Sequence, residues 1–329
     1  MKKTIISTLK VIIPLGLGIF LIWMVYKDLT PENISDINKS FHEINYVFLL
    51  LSVLFGIFSH LSRAWRWKYP LNHLGYKPKI YNSFFTTMIG YFANMGIPRS
   101  GEILRCGVMS KYENIPFTKL VGTVIAERVA DLIILFLCIA TVFFIQFDLL
   151  KNYFIELGLL DKFSPIKLLI IGITFLILIF IFYLIITKSN RSIFTKIRLF
   201  LSGIKEGIQS ILMMPNRGWF LFHTIFIWLM YFLMFYITFF SLKDIQSVPM
   251  GGVFTAFVLG GVSIAATNGG IGAYPLAISS VLLLYGVEET TGYAFGWAIW
   301  TAQTIMIVVL GLISLLLVSK LNQSSVEDN

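Results

Sequence analysis

Apolar residues along this chain gather into long runs, and the short stretches between them hold most of the charge. The clearest runs are Val11–Tyr26, Tyr46–Leu61, Val121–Phe147, Ile166–Thr187, Trp219–Phe240 and Tyr293–Val318. Each approaches or exceeds the roughly 17–25 residues that a helix needs to cross a bilayer. Two weaker segments, Asn82–Met95 and Val253–Ala266, stop at clusters of glycine and proline or glycine and asparagine. A short apolar piece follows each, the first reaching about Lys111 and the second covering Ile271–Tyr285. The pattern predicts an all-α integral membrane protein.

The order of segments repeats. Residues 1–150 read as long, long, broken pair, long, and residues 165–320 read the same way, within a single membrane domain over 1–329. About eight membrane segments result. The halves match in segment length and break position, not in residue identity. A 14-residue helix such as Asn82–Met95 extends roughly 21 Å, short of a hydrocarbon core of about 30 Å. Each broken pair is therefore expected to be re-entrant, entering, turning and leaving on one side. Such backbone is tolerated where protein or a water-filled cavity surrounds it. Eight ordinary helices with short loops are the alternative. Three full crossings plus a re-entrant pair per half would make the halves inverted repeats, a plan common among transporters.

Composition sharpens this. Hydrophobic residues make up 57% of the chain and charged residues 13%, against about 25% charged in a soluble domain. A soluble enzyme is excluded. The net charge of +9 raises nucleic acid as a partner, but the basic residues lie between apolar runs and form no basic face. With the N-terminus in the cytoplasm, 18 of the 26 Lys and Arg residues fall on the inner side and six on the outer, leaving Arg99 and Arg128 at membrane depth. That bias predicts cytoplasmic N- and C-termini. Lys27 and Asp28 follow Tyr26, with no small-residue cleavage site, so the first run is expected to be a retained helix rather than a signal peptide.

Two basic stretches have local readings. In Arg191–Met214, Ile193, Ile197, Phe200, Ile204, Ile208 and Ile211 recur at helical spacing among positive residues. This amphipathic pattern predicts a helix lying in the inner headgroup region, the alternative being a cytoplasmic helix packed on its own protein. Arg63, Trp65, Arg66, Trp67 and Lys68 read first as an interfacial anchor and second as a contact for anionic headgroups.

Charge inside a membrane is costly and points to function. One cluster is Asn94, Pro98, Arg99, Ser100, Gly101, Glu102 and Arg105; the other is Glu127, Arg128 and Asp131. Three arginines balance three acids, which predicts a buried network between the broken pair and the next helix. Arg128 can pair with Asp131 three residues on. Pro98 and Gly101 flank the start of a half-helix that Ser100 is expected to cap. The N–H groups of such a terminus attract anions, and Arg99 beside it can grip a phosphate through two hydrogen bonds. A structural charge network is the competing reading. At the second break, Asn268, Gly269, Gly270, Gly272 and Tyr274 permit an unwound turn with polar contacts, serving as ligand site or as hinge. No phosphate-loop lysine or preceding strand accompanies these glycines. Cys106 and Cys138 form no disulfide framework, and His42, His60, His73 and His223 are scattered. No metal site or cofactor is expected.

Read together, YFANMGIPRSGEILR and GTVIAERVADLI resemble the flippase-like membrane domain of lysylphosphatidylglycerol synthases, which also occurs as stand-alone proteins. The resemblance covers nearly the whole chain. The first-half motif falls on Asn94, Pro98, Arg99, Gly101, Glu102, Arg105, Glu127, Arg128 and Asp131, and the second-half motif on Gly269, Gly270 and Gly272. Many relatives carry an acid shortly after that glycine motif, where Tyr274-Pro275 stands here. The resemblance implies lipid translocation between leaflets, a bacterial inner-membrane location, and no aminoacyl transfer, because the soluble transferase region is not part of the resemblance. The expected partner is an anionic or zwitterionic membrane lipid, with a second copy of the chain or a lipid-synthesising protein as candidate protein partners. A non-transporting scaffold and an intramembrane enzyme using Glu127 or Asp131 as a base are the competing classes.

Overall fold

The computed structural model describes residues 19–147, apart from 21 and 28, and residues 207–327. Its described residues are helical with no strand. The helices are α1 Pro31–Glu43, α2 Tyr46–His73, α3 Ile80–Gly96, α4 Gly101–Glu113, α5 Phe117–Ile145, α6 Arg217–Tyr236, α7 Met250–Ala266, α8 Ala273–Leu283 and α9 Glu289–Glu327; short 3-10 turns at Ile237–Ser241 and Lys243–Ile245 follow α6. The span expected at Ile166–Thr187, most of the first apolar run, and most of the amphipathic stretch Arg191–Met214 lie outside the described residues.

Among the described residues four helices are long and apolar enough to cross a membrane: Tyr46–His73, Phe117–Ile145, Arg217–Ser241 and Glu289–Asn322. Their outer faces carry Leu50, Leu54, Phe58, Phe136, Phe144, Phe222, Ile225 and Leu316, all exposed. An apolar surface this extensive needs lipid against it. The protein is an integral membrane protein. Helix α1 was not expected. Its start is marked by a capping box in which the side chains of Thr30 and Asn33 each accept the other's backbone N–H, followed by Pro31 in the first turn, an arrangement that suits a helix N-terminus.

The chain divides into two compact units, Met1–Val124 with Met214–Asn329, and Ile125–Met213. In the first unit α2 and α6 pack antiparallel, α3 packs on α4, α7 on α8, and α9 runs against α3 and α8. One apolar core joins Phe235, Phe239, Ile245, Ala256, Ile278, Leu282, Phe295 and Ile299; a second joins Trp67, Leu71, Cys106, Met109, Leu120 and Val124.

Helix α9 measures out the arrangement of both broken pairs. The Ser279 hydroxyl of α8 donates to the Glu289 carbonyl, and Trp300 Nε1 donates 2.7 Å to the carbonyl of Gly269 between α7 and α8. A Cβ on Gly311 would meet Phe92 near the end of α3, and Asn322 exchanges amide hydrogen bonds of 2.8 and 3.0 Å with Asn82 near its start. These four α9 positions are spaced by eleven residues, about 16 Å each along the axis. The open end of α7–α8 lies at the N-terminal end of α9, the open end of α3–α4 at its C-terminal end, and the two turns lie along its middle. Helix α8 comes close because Gly292 and Gly296 of α9 have no side chains: a Cβ there would sit 3.0 Å from Ser279 Cα and 2.6 Å from Pro275 Cα. Small residues four apart permit this approach.

The 17-residue helices α3 and α7 reach about 25 Å each. They are longer than the sequence segments by two and three residues at their N-termini, and still short of a hydrocarbon core of about 30 Å.

Candidate functional site

The first break is built from one helical hairpin. Helix α3 ends at Gly96, α4 begins at Gly101, and the backbones cross at Gly90 and Gly101. A Cβ on Gly90 would lie 2.8 Å from the Gly101 carbonyl oxygen, and a Cβ on Gly101 would collide with the Gly90 carbonyl oxygen. Ser100 is not the cap that the sequence pointed to. Its hydroxyl turns back to donate to the carbonyls of Ile97 at 2.7 Å and Ala93 at 3.3 Å, and it makes no side-chain cap bond. Asn94 takes that part, its Oδ1 accepting the Gly101 N–H at 2.7 Å. An amide reaching across from the preceding helix satisfies a terminal donor and fixes the turn at once. Between these bonds Arg99 sits at φ 64° with its side chain exposed, Pro98 is half-buried, and Glu102 is exposed. A non-glycine residue in the left-handed region costs about 1–2 kcal/mol, and strain of this kind clusters at functional sites. The open end of the hairpin is bolted: Glu113 Oε1 accepts from the Lys79 N–H at 3.0 Å and from Asn82 Nδ2 at 2.6 Å.

The six charges expected as one buried set divide by environment. In the first unit Arg99 and Glu102 are exposed, whereas Arg105 is buried with its guanidinium carbon 3.6 Å from the Trp67 ring centroid. That is a cation–π contact removed from water. In the second unit Glu127 is fully buried, and Arg128 Nη1 pairs with Asp131 Oδ2 at 3.7 Å.

The stretch around Trp67 departs from the anchor reading. Helix α2 does not stop at Leu61 but continues to His73 through Pro70. Arg63, Arg66 and Trp67 are 3%, 0% and 0% exposed, while Trp65 remains on the surface. The cause is helical periodicity: positions 63, 66, 67 and 70 share one face, which packs against α6 and α4. Arg66 Nη1 donates to Thr224 Oγ1 at 3.1 Å and lies over the Phe220 ring, Arg63 Nη2 reaches the Tyr231 hydroxyl at 3.3 Å, and Ser62 Oγ meets His223 Nδ1 at 2.8 Å. Trp67 Nε1 donates to Thr123 at 2.8 Å. His60 and His223, which no sequence motif singled out, belong to this stripe. The three-residue spacing of His60, Arg63 and Arg66 along α2 is the available signal for His60; His223, on α6, carries none.

The second break is differently held. Gly269, Gly270 and Gly272 have φ of 65°, 79° and 70°, and Asn268 is half-buried in the turn. The Tyr274 side chain is buried and fills the space that a Cβ on Gly260 or Gly270 would need, with Gln303 of α9 beside its hydroxyl. Trp300 holds the Gly269 carbonyl. Among the described residues no group of three acidic, histidine or cysteine side chains could hold a metal.

The family model for the lysylphosphatidylglycerol synthase TM region matches residues 11–311. The chain belongs to this family. It is similar to the UPF0104 membrane protein MJ1595 of Methanocaldococcus jannaschii, with 26% identity over 314 residues that cover 87% of this chain and 89% of that protein. No solved structure matches. The family match takes in both breaks and the buried arginine stripe.

Proposed function

We propose that the protein moves a phospholipid or similar amphiphile between the leaflets of its membrane, without chemical change to the lipid. The observation that carries this reading is the exposed, left-handed Arg99 at the tip of a hairpin whose helices are too short to span. Both hairpins are re-entrant in this reading. They open toward opposite ends of α9 and bring their tips toward mid-membrane, as inverted halves would. The α4 N-terminus contributes a partial positive charge, and Arg99 contributes a fork of donors suited to a phosphate. The N- and C-termini then face the cytoplasm, where Lys77, Lys79, Lys111 and Lys320 cluster near the open end of α3–α4.

The test is leaflet exchange in liposomes. Purified protein is reconstituted with fluorescent phospholipids, and dithionite quenching reports the fraction that crosses. Wild type is expected to exceed empty liposomes, and Arg99→Ala and Asp131→Asn, shown folded by melting and gel filtration, are expected to fall to the background. Absence of exchange across several headgroups, with and without a proton gradient, would overturn the reading in favour of a scaffold. A chemically altered lipid in mass spectra would favour an enzyme.

A further inference from the structure

Deep in the first unit, α2, α3 and α6 bring together polar side chains that no motif accounts for. His60 stands fourteen residues into α2, about 21 Å from its start, and is 4% exposed. Its ring centroid lies 4.8 Å from that of Tyr91 on α3 and 6.2 Å from that of Tyr231 on α6. Arg63, one turn along α2, reaches the Tyr231 hydroxyl at 3.3 Å, and the Tyr91 side chain lies beside that hydroxyl. Trp228, one turn before Tyr231, stacks edge-on against it at 6.5 Å. His60 Nδ1 and Trp228 Nε1 are both buried without a hydrogen-bond partner. A buried polar atom left unsatisfied costs about 1–3 kcal/mol, and here two such atoms flank one tyrosine.

The chemistry of the set selects the ligand. Arginine and indole can only donate; tyrosine can donate, and so can imidazole in the tautomer that carries a proton on Nδ1. These five donor-capable groups, contributed by three packed helices around Tyr231, match an acceptor-only group bearing negative charge. We infer that His60, Arg63, Tyr91, Tyr231 and Trp228 form a seat for a phosphate-type oxyanion inside the membrane span. Its position about halfway along a spanning helix suits a lipid phosphate in transit rather than one resting in a leaflet. That assignment to a lipid rests on the transport reading above; the seat itself does not.

The test compares lipids that differ at the phosphate. Detergent-purified protein is incubated with mixed micelles of phosphatidylglycerol, phosphatidylcholine or diacylglycerol, and bound lipid is counted by native mass spectrometry. Wild type is expected to retain both phospholipids over diacylglycerol by about tenfold or more, as one charge-assisted contact provides. Arg63→Gln is expected to abolish that preference. Tyr231→Phe, which removes one hydroxyl and keeps the ring, covers the case in which Arg63→Gln does not fold, and should cut the preference about threefold to tenfold. His60→Ala should reduce it too. Displacement by inorganic phosphate upholds the seat and assigns it to free oxyanions; resistance to displacement upholds it and assigns it to lipid. Equal retention of diacylglycerol, or a preference unchanged in Arg63→Gln and Tyr231→Phe, overturns it. Leaflet exchange on the same preparations separates the two ideas: exchange without phosphate preference sinks the seat alone, and phosphate preference without exchange sinks transport alone.

Discussion

The α3–α4 hairpin makes its turn with bonds to itself, from Asn94 to Gly101 and from Ser100 to Ala93 and Ile97. The α7–α8 hairpin makes its turn under α9, where Trp300 Nε1 donates to the Gly269 carbonyl and Gln303 lies beside Tyr274. The first is secured at its open end, by Asn82, Glu113 and Asn322, and presents its tip. The second is secured at its tip. The strain follows the same division. Three glycines absorb the left-handed geometry of the second turn, whereas an arginine absorbs it in the first. Two hairpins with one plan thus differ in which part is held, and the charged one is the one whose tip is held from within.

Glycine substitutions should break this comparison most sharply. Gly101→Ala drives a Cβ into the Gly90 carbonyl, and overpacking of this kind is expected to cost about 3 kcal/mol. A Cβ on Gly269 meets nothing within 4 Å, so Gly269→Ala should cost only the backbone penalty of about 1 kcal/mol. Thermal melts in detergent would rank the two, and equal losses would show that the close backbone crossing is not what holds the first hairpin. Next in size is Asn94→Ala, which removes the acceptor for Gly101 N–H and should cost about 1 kcal/mol, in line with loss of a helix cap. Hydrogen exchange should rise at residues 97–103 and stay unchanged at residues 267–272. The smallest effect is expected from Trp300→Phe, which deletes one hydrogen bond worth roughly 0.5–1.5 kcal/mol. Exchange should then rise at residues 267–272 alone. A rise at both turns would mean that α9 ties the tips together more tightly than their separate bonding indicates.

Hydropathy made the spans legible, because lipid imposes one requirement on every turn of a helix. It also located α3 and α7 to within three residues, since glycine and proline or glycine and asparagine mark where each stops. The end of α2 was not legible. Arg63, Arg66 and Lys68 look like a boundary when read as composition, and only the packing of α6 shows that two of them face inward. The sequence points to Ser100 as the cap of α4 because capping is usually local; Asn94, seven residues before Gly101, reaches it only because the hairpin folds the chain back. Helix α1 is hidden from hydropathy because its polar sequence carries no long apolar run, although Thr30-Pro31-Glu32-Asn33 holds the chemistry of a helix start. The breaks were legible as places; the difference in how each is held depends on α9, more than 20 residues downstream of the second and nearly 200 from the first.

The left-handed arginine has a consequence for anyone who engineers this protein. Glycine adopts φ 64° at no steric cost, so Arg99→Gly is expected to raise stability by about 1 kcal/mol, read as a higher melting temperature in detergent. A screen for well-behaved variants, run to obtain crystals or grids, would therefore select at position 99 the substitution that erases the charge at the hairpin tip. Ranking by heat alone would enrich the sturdiest molecules and the least informative ones together, and any campaign of that sort needs an activity readout beside the melt.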